Sequence, residues 1–240
     1  MSAAATTVST SRHGVPFDRL RAHMRRAALV AGLGLLLMAI LAGLASFGVL
    51  ERLVIPGDAA GTASAILDAR GIFWLAIIAL FGVAVLDVVV ALALWMFFDR
   101  IHLVVAGIAA FCRALYALIF AVAISHLVSA AQLLSGGQIN SSVETEVLAD
   151  VELFDEIWKL GLALFGCHLL LIGWLAFSSG LVPRFVAVLV AIAGLGYLID
   201  SLAGLLFHVV RIRARLLHLI GEVLFWWPPR LSTHCANDDP

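Results

Sequence analysis

Long apolar runs constrain the fold of this chain more than any other feature. An apolar helix of about 20 residues, rising 1.5 Å per residue, crosses the roughly 30 Å hydrocarbon core of a bilayer. Backbone in lipid must satisfy its own hydrogen bonds, so such runs are expected to be helical. Five runs reach that length, at about residues 27–50, 72–98, 103–126, 157–177 and 185–207. We therefore expect an all-α, polytopic integral membrane protein, a helical bundle with five to six transmembrane helices.

The composition agrees with that class and excludes another. Hydrophobic residues make up 63% of the chain and charged residues 13%, whereas soluble domains are about 45 to 50% apolar. With 15 basic and 16 acidic residues the net charge is −1, so the chain lacks the strong positive field that binding nucleic acid requires. The lipid bilayer is the expected partner, and nucleic acid is not.

Basic residues predict the orientation. Residues 1–26 form a tail that carries Arg19, Arg21, Arg25 and Arg26 directly before the first run. Positive charge next to a span favours the cytoplasmic side, and this run is too long for a signal-peptide core. The short links at 99–102 and 178–184 carry Arg100 and Arg184. We therefore expect cytoplasmic turns there and a cytoplasmic amino terminus, in a bacterial cytoplasmic membrane.

The two longer links are expected to face outward. Residues 127–156 contain six acidic residues and neither Lys nor Arg, which predicts an outer loop. In the other link, Asp58 follows Pro56 and Gly57 and is a good N-cap. It predicts a short helix lying at the outer interface.

The carboxyl-terminal segment has two interpretations. Residues 208–227 are long enough for a sixth span that ends at a tryptophan pair, with 228–240 as a tail. Its arginines would then lie at the outer surface, against the positive-inside tendency. The alternative is an amphipathic surface helix, because Arg211, Arg215, His218 and Glu222 recur at helical spacing. The short sixth span is the favoured interpretation.

Three polar residues share one depth within the apolar runs. Counted from the cytoplasmic ends of their helices, Asp87, Arg113 and His168 lie roughly 14 to 17 Å from the inner boundary. A charge at that depth costs about 2.5 to 3.5 kcal/mol, so such residues face protein and find partners. Asp87 is expected to pair with Arg113 across the tight turn at 99–102. The pair either fixes helix register or belongs to a buried site that binds a substrate group or passes protons through His168.

Further polar residues extend this candidate site. Tyr197, Asp200, Ser201 and Gly204 fall on one helix face nearer the outer side, where they line a cavity or brace two helices. Glu222 on the predicted sixth span completes the set. The full candidate site is Asp87, Arg113, His168, Tyr197, Asp200, Ser201 and Glu222.

No catalytic group, cofactor or metal site is predicted. His126 and His168 differ in depth by about 20 Å, which excludes haem ligation by this pair. Ser125, His126 and Ser129 lack an acid in the same helix to orient the imidazole. Three glycines, Gly194, Gly196 and Gly204, are expected to permit close helix packing.

Five segments together resemble a known family. They are VIPGDAAGTASAIL, the span around Asp87, FCRALYAL around Arg113, FGCHLLLIGWLAFSSGLVPR and GLGYLIDSL. In this order they resemble the bacterial membrane family called domain of unknown function 4386, over about residues 27–205. The resemblance implies a multi-span helical membrane protein without an established activity, and it supplies no catalytic residues. The chain departs from the family pattern after its three arginines, where only a short apolar run follows.

The sequence leaves three functions open. The first is a structural, sensory or accessory membrane protein whose buried polar cluster organises the bundle. The second is a small transporter or proton-coupled permease that uses the cluster on a small-molecule or lipid ligand. The third is an intramembrane enzyme. A dry, fully paired cluster would favour the first, and a wet cavity at the midplane would favour the second.

Overall fold

The architecture is a helical bundle. The computed structural model describes residues 17–136 and 139–225, with side chains placed for 25–136, 139–204 and 206. In chain order the helices are α1 (Phe17–Ala45), a π-helical segment (Ser46–Leu50), α2 (Glu51–Leu53), α3 (Ala59–Asp68), α4 (Arg70–Leu133), α5 (Ser141–Ser179) and α6 (Arg184–Phe225). Among the described residues, four stretches are long and apolar enough to cross a membrane, namely Arg25–Leu53, Arg70–Leu133, Ser141–Ser179 and Arg184–Gly204. The predicted all-α, polytopic bundle is confirmed.

Helix α4 is a hairpin rather than a rod. A straight helix of its 64 residues would be about 96 Å long. Its backbone instead breaks at His102, with φ −154° and ψ 94°. Arg70, at its start, donates a hydrogen bond to Ser135, just past its end. Two antiparallel arms, residues 70–101 and 103–133, therefore meet at the tight link that the sequence predicts.

The segment expected to be an acidic outer loop is mostly helical. The second arm of α4 continues to Leu133, and α5 already begins at Ser141. The Asn140 side chain caps α5 by accepting a hydrogen bond from the Val143 amide at 3.0 Å. Val147, Val151 and Phe154 are buried at helical spacing, so the acidic residues occupy the other faces of an amphipathic helix. The acidic composition of this segment led to the expectation of a loop, although three apolar residues recur in it at helical spacing.

The predicted short helix after Asp58 is confirmed as α3. The Asp58 carboxylate accepts a hydrogen bond from the Gly61 amide at 2.9 Å and so caps the helix. Thr62 and Ile66 are buried on its inner side. Thr62 Oγ1 also donates to the Ile55 carbonyl at 3.2 Å and accepts from the Ile55 amide at 3.0 Å. These bonds fold the link back onto the bundle, while the position of α3 relative to a membrane stays a prediction.

Helix α6 differs from the expected pair of spans. It runs as one helix from Arg184 to Phe225, whereas the sequence predicts a span ending near residue 207 and a separate one over 208–227. No proline occurs between residues 184 and 227, so the chain contains no strong breaker at which the helix would turn back. One uninterrupted helix over Arg184–Phe225 is therefore the geometry that this segment favours.

Small residues allow α5 and α6 to approach closely. A Cβ added to Gly194 would lie 2.8 Å from the carbonyl oxygen of Gly166, and one added to Gly173 would lie 3.0 Å from that of Ala187. Of the three glycines predicted to serve close packing, Gly194 does so. A Cβ on Gly196 or Gly204 would meet no described atom within 4 Å. The expectation was wrong for these two because they lie on a different face of α6.

Candidate functional site

Asp87 and Arg113 form the predicted ion pair. Arg113 Nη2 lies 2.8 Å from Asp87 Oδ1, and both side chains are 1% exposed. Asp87 lies on the first arm of α4 and Arg113 on the second, so the reversal at His102 brings them level. Opposite charges at this distance compensate part of the cost of removing each from water. The pair therefore ties the two arms together at one register.

His168 on α5 joins the pair as a neutral imidazole. Its Nε2 lies 3.1 Å from Arg113 Nη1, and its Nδ1 lies 2.8 Å from the Ala109 carbonyl oxygen. A guanidinium only donates hydrogen bonds and a carbonyl only accepts them. The proton must therefore be on Nδ1, which leaves Nε2 to accept from Arg113. This one imidazole links α5 to the second arm of α4 twice.

Apolar and aromatic groups close the cluster. Arg113 Nη2 donates to the Met38 sulfur of α1 at 3.6 Å. The guanidinium carbon lies 5.2 Å from the centre of the Phe165 ring, within cation–π range. His168 is itself fully buried. The charges of the carboxylate and the guanidinium therefore compensate each other inside a shell of side chains. This shell leaves the two groups almost unexposed at the surface of the bundle.

Three polar atoms of the cluster have no hydrogen-bond partner among the described residues. They are Asp87 Oδ1, Asp87 Oδ2 and Arg113 Nε, all fully buried. The contact between Asp87 Oδ1 and Arg113 is short, yet Oδ1 is also without an aligned hydrogen bond. Attraction between charges holds the pair, and part of its hydrogen-bonding capacity is unused.

A column of aromatic rings lies between the cluster and the end of the bundle at which α5 begins. Trp158 Nε1 donates to the Tyr116 hydroxyl at 3.1 Å. Tyr116 stacks on Phe120 at 5.9 Å between ring centres and lies 5.0 Å from Phe165. Phe120 in turn lies 6.3 Å from Phe154. These rings fill the interface between the second arm of α4 and α5.

The remaining predicted site residues do not enter the cluster. Tyr197 lies at its edge, 37% exposed, with its ring 5.4 Å from Phe165. Ser201 donates to the Lys159 carbonyl at 3.1 Å and so braces α6 on α5. Asp200 is exposed, which corrects the expectation that it lines a shared cavity. The side chain of Glu222 lies outside the part of the chain whose side chains the structure describes.

The exposure of Asp200 follows from the face that α6 presents to α5. Ala187 and Gly194 contact α5, and Ser201 continues that line at the same seven-residue spacing. Asp200 is one residue before Ser201 and is therefore rotated by about 100°. The sequence alone showed which residues share a face, but it did not show which face meets a neighbour.

A second polar contact was missed by the sequence reasoning. His126 Nδ1 lies 3.0 Å from Asp150 Oδ1, with the two side chains 29% and 14% exposed. No acid of its own helix lies beside His126, whereas Asp150 approaches it from α5. Ser125 donates to the Val122 carbonyl at 2.6 Å, so its hydroxyl hydrogen is already used within its own helix. The helical spacing of Val147, Val151 and Phe154 was the signal that could have placed Asp150 on this interface.

The comparisons with known proteins agree on a family without an assigned activity. Residues 30–227 match the family described as Domain of unknown function (DUF4386). An uncharacterized protein of Archaeoglobus fulgidus is 30% identical over 149 residues, which make up 62% of this chain and 78% of that protein. No solved structure matches the chain.

Proposed function

We propose that this chain, which belongs to the DUF4386 family, is a non-catalytic membrane protein with a structural, sensory or accessory role, organised by its buried polar cluster. The closure of that cluster carries the proposal. Asp87, Arg113 and His168 are at most 1% exposed and come from three different helical arms. A binding or transport site needs a route by which its ligand reaches it. A contact that only fixes the register of the helices needs no such route.

The energetics support a role in specifying the fold. Taking two charges out of water costs several kcal/mol per ion, and their attraction repays this only in part. Apolar residues of similar volume often hold helices equally well, so such a pair is a weak source of stability. Its advantage is that only one register lets Asp87, Arg113 and His168 meet. We assign the cluster to fixing the α4 hairpin against α5.

The charge distribution supports an orientation with the amino terminus in the cytoplasm. The α4 turn and the α5–α6 turn lie at one end of the bundle, where the His102 and Trp174 rings are 5.8 Å apart. Arg100 and Arg184 belong to this end. The acidic first half of α5 belongs to the other end. By the positive-inside tendency, the first end faces the cytoplasm of a bacterial cell membrane and the bilayer is the principal partner.

A second candidate function is a small proton-coupled permease. One observation favours it, the unused hydrogen-bonding capacity of Asp87 Oδ2 and Arg113 Nε. In a second, open conformation these atoms would bind a polar group of a small molecule or lipid, or Asp87 would take up a proton. Intramembrane polar groups mark such pathways in many transporters.

Proton flux distinguishes the two functions. The purified protein is reconstituted in proteoliposomes with an internal pH dye, and an inward proton gradient is imposed with and without molecules extracted from the purified sample. For a structural role we expect flux no greater than in protein-free vesicles. Flux that is abolished by Asp87→Asn and retained in Asp99→Asn, an acid at the cytoplasmic turn, would establish the permease instead.

A further inference from the structure

Helices α5 and α6 are both much longer than a membrane is thick. Their 39 and 42 residues correspond to about 58 and 63 Å, against a hydrocarbon core of roughly 30 Å. Gly180, with φ +63°, ends α5 in the left-handed conformation and starts the reversal into α6. The far halves of both helices therefore extend from the same end of the bundle.

The contacts between α5 and α6 have a regular register. Ala187 contacts Gly173, Gly194 contacts Gly166, and Ser201 contacts Lys159. Each step of seven residues forward on α6 is matched by seven backward on α5, so the helices stay in contact along about 21 Å. Two helices that separate quickly would not keep this register. Continued outward, the same register places Ile212 level with Leu148.

The apolar pattern of α6 changes on the face beside its contact with α5. On the face away from α5, large exposed apolar residues such as Leu189, Ile192 and Ile199 suit lipid. Farther along the helix, Arg211, Arg215, His218 and Glu222 lie together on a face beside the α5 contact, and Arg215 and Glu222 continue the seven-residue line of Ala187, Gly194 and Ser201. A second line of contacts with α5 contains Ala191 and Leu198. At the same seven-residue spacing it continues through Leu205, Ile212 and Leu219 and stays apolar. An apolar line with charged positions beside it is typical of a helix that packs on a neighbour outside lipid.

Charge complementarity points to the same neighbour. The first half of α5 carries six acidic residues before its first lysine, Lys159. The second half of α6 carries Arg211, Arg213 and Arg215 against the single acid Glu222. Arginines on the outer side run against the positive-inside tendency, and an acidic neighbour at the same level gives a reason for them. Flanking ion pairs of this kind set partner choice in helical pairs.

We propose that the second half of α6, residues 205–225, docks along the first half of α5, residues 141–156, as an antiparallel helical pair outside the membrane. It therefore forms an outer stalk rather than a sixth span. The proposal rests on the membrane assignment made above. Its own evidence is the register, the apolar line and the opposite charges.

Disulfide cross-linking tests the register. Cys112, Cys167 and Cys235 are first replaced by Ser, and Leu148→Cys/Ile212→Cys is introduced. The matched control is Glu146→Cys/Ile212→Cys, because Glu146 is two residues from Leu148 and lies on nearly the opposite side of α5. When copper phenanthroline is added as oxidant, we expect at least about tenfold more intrachain cross-link in the first pair, because docking brings its two thiols together and raises their effective concentration. The docking is overturned if both pairs cross-link equally, or if neither pair cross-links, in protein whose elution volume matches that of the parent protein.

Labelling distinguishes this proposal from the sixth span and from the function proposed above. Ile212→Cys alone, in the background without the native cysteines, is treated in right-side-out vesicles with a membrane-impermeant maleimide. Reaction from outside supports the stalk, whereas protection that only detergent relieves supports a span and overturns it. Neither result alters the coupling between Asp87 and Arg113, which is measured separately, so either proposal can fail alone.

Discussion

Arg113 donates from Nη1 to Nε2 of His168, 3.1 Å away, while its Nη2 lies 2.8 Å from the Asp87 carboxylate. One guanidinium thus joins a charged partner on its own hairpin to a neutral partner on α5. The two contacts differ in kind, because one depends on charge and the other on an acceptor lone pair. Substitutions at the three positions should therefore have different consequences.

The ion pair predicts a strongly non-additive double mutant. Asp87→Asn or Arg113→Gln alone leaves one charge buried without its partner, which typically costs about 3 to 5 kcal/mol. We expect either change to lower both the folded yield and the thermal midpoint in detergent. Adding the second change should restore part of both, because the remaining charge is then removed. Losses in the double mutant equal to the sum of the single losses would contradict direct pairing.

The imidazole predicts an intermediate effect. His168→Ala removes the acceptor for Arg113 Nη1 and leaves a buried donor unsatisfied, a loss of about 1 to 3 kcal/mol. Cys167→Ala is the matched control, since it truncates the neighbouring half-buried side chain on α5 outside the cluster. Thermal unfolding followed by tryptophan fluorescence should show the larger decrease for His168→Ala. A decrease no greater than that of the control would remove His168 from the cluster that holds the arms.

These contacts show what the sequence reveals and what it does not. The apolar runs gave the helical class, and the depths of Asp87, Arg113 and His168 gave their common level, because rise per residue is nearly constant along a helix. Rotation of one helix against another is a property of packing, and for this reason Asp200 was assigned to the cluster and lies outside it. The acidic composition of α5 likewise concealed its apolar stripe, and with it the contact of Asp150 with His126.

The partly exposed contact of His126 with Asp150 predicts a much smaller effect than the buried one. His126 and Asp150 lie 3.0 Å apart but remain partly exposed, and exposed pairs contribute about 0 to 1 kcal/mol. We expect Asp150→Asn to lower the free energy of unfolding by less than about 1 kcal/mol. The comparison is with Asp155→Asn, whose partner Lys159 lies on the same helix. A loss for Asp150→Asn as large as that for Asp87→Asn would mean that the two helices depend on this partly exposed contact as much as on the buried cluster.

The close approach of α5 and α6 predicts opposite outcomes for two neighbouring glycines. In Gly194→Ala the new Cβ would lie 2.8 Å from the Gly166 carbonyl oxygen, which belongs to backbone and cannot rotate away. The helices would have to separate, at a cost of about 1 to 3 kcal/mol typical of overpacking. Gly196→Ala meets no described atom within 4 Å and gains helix propensity of up to about 1 kcal/mol. We therefore expect the thermal midpoint to fall for the first variant and to hold or rise for the second, and equal effects would show that α6 does not pack on α5 through this face.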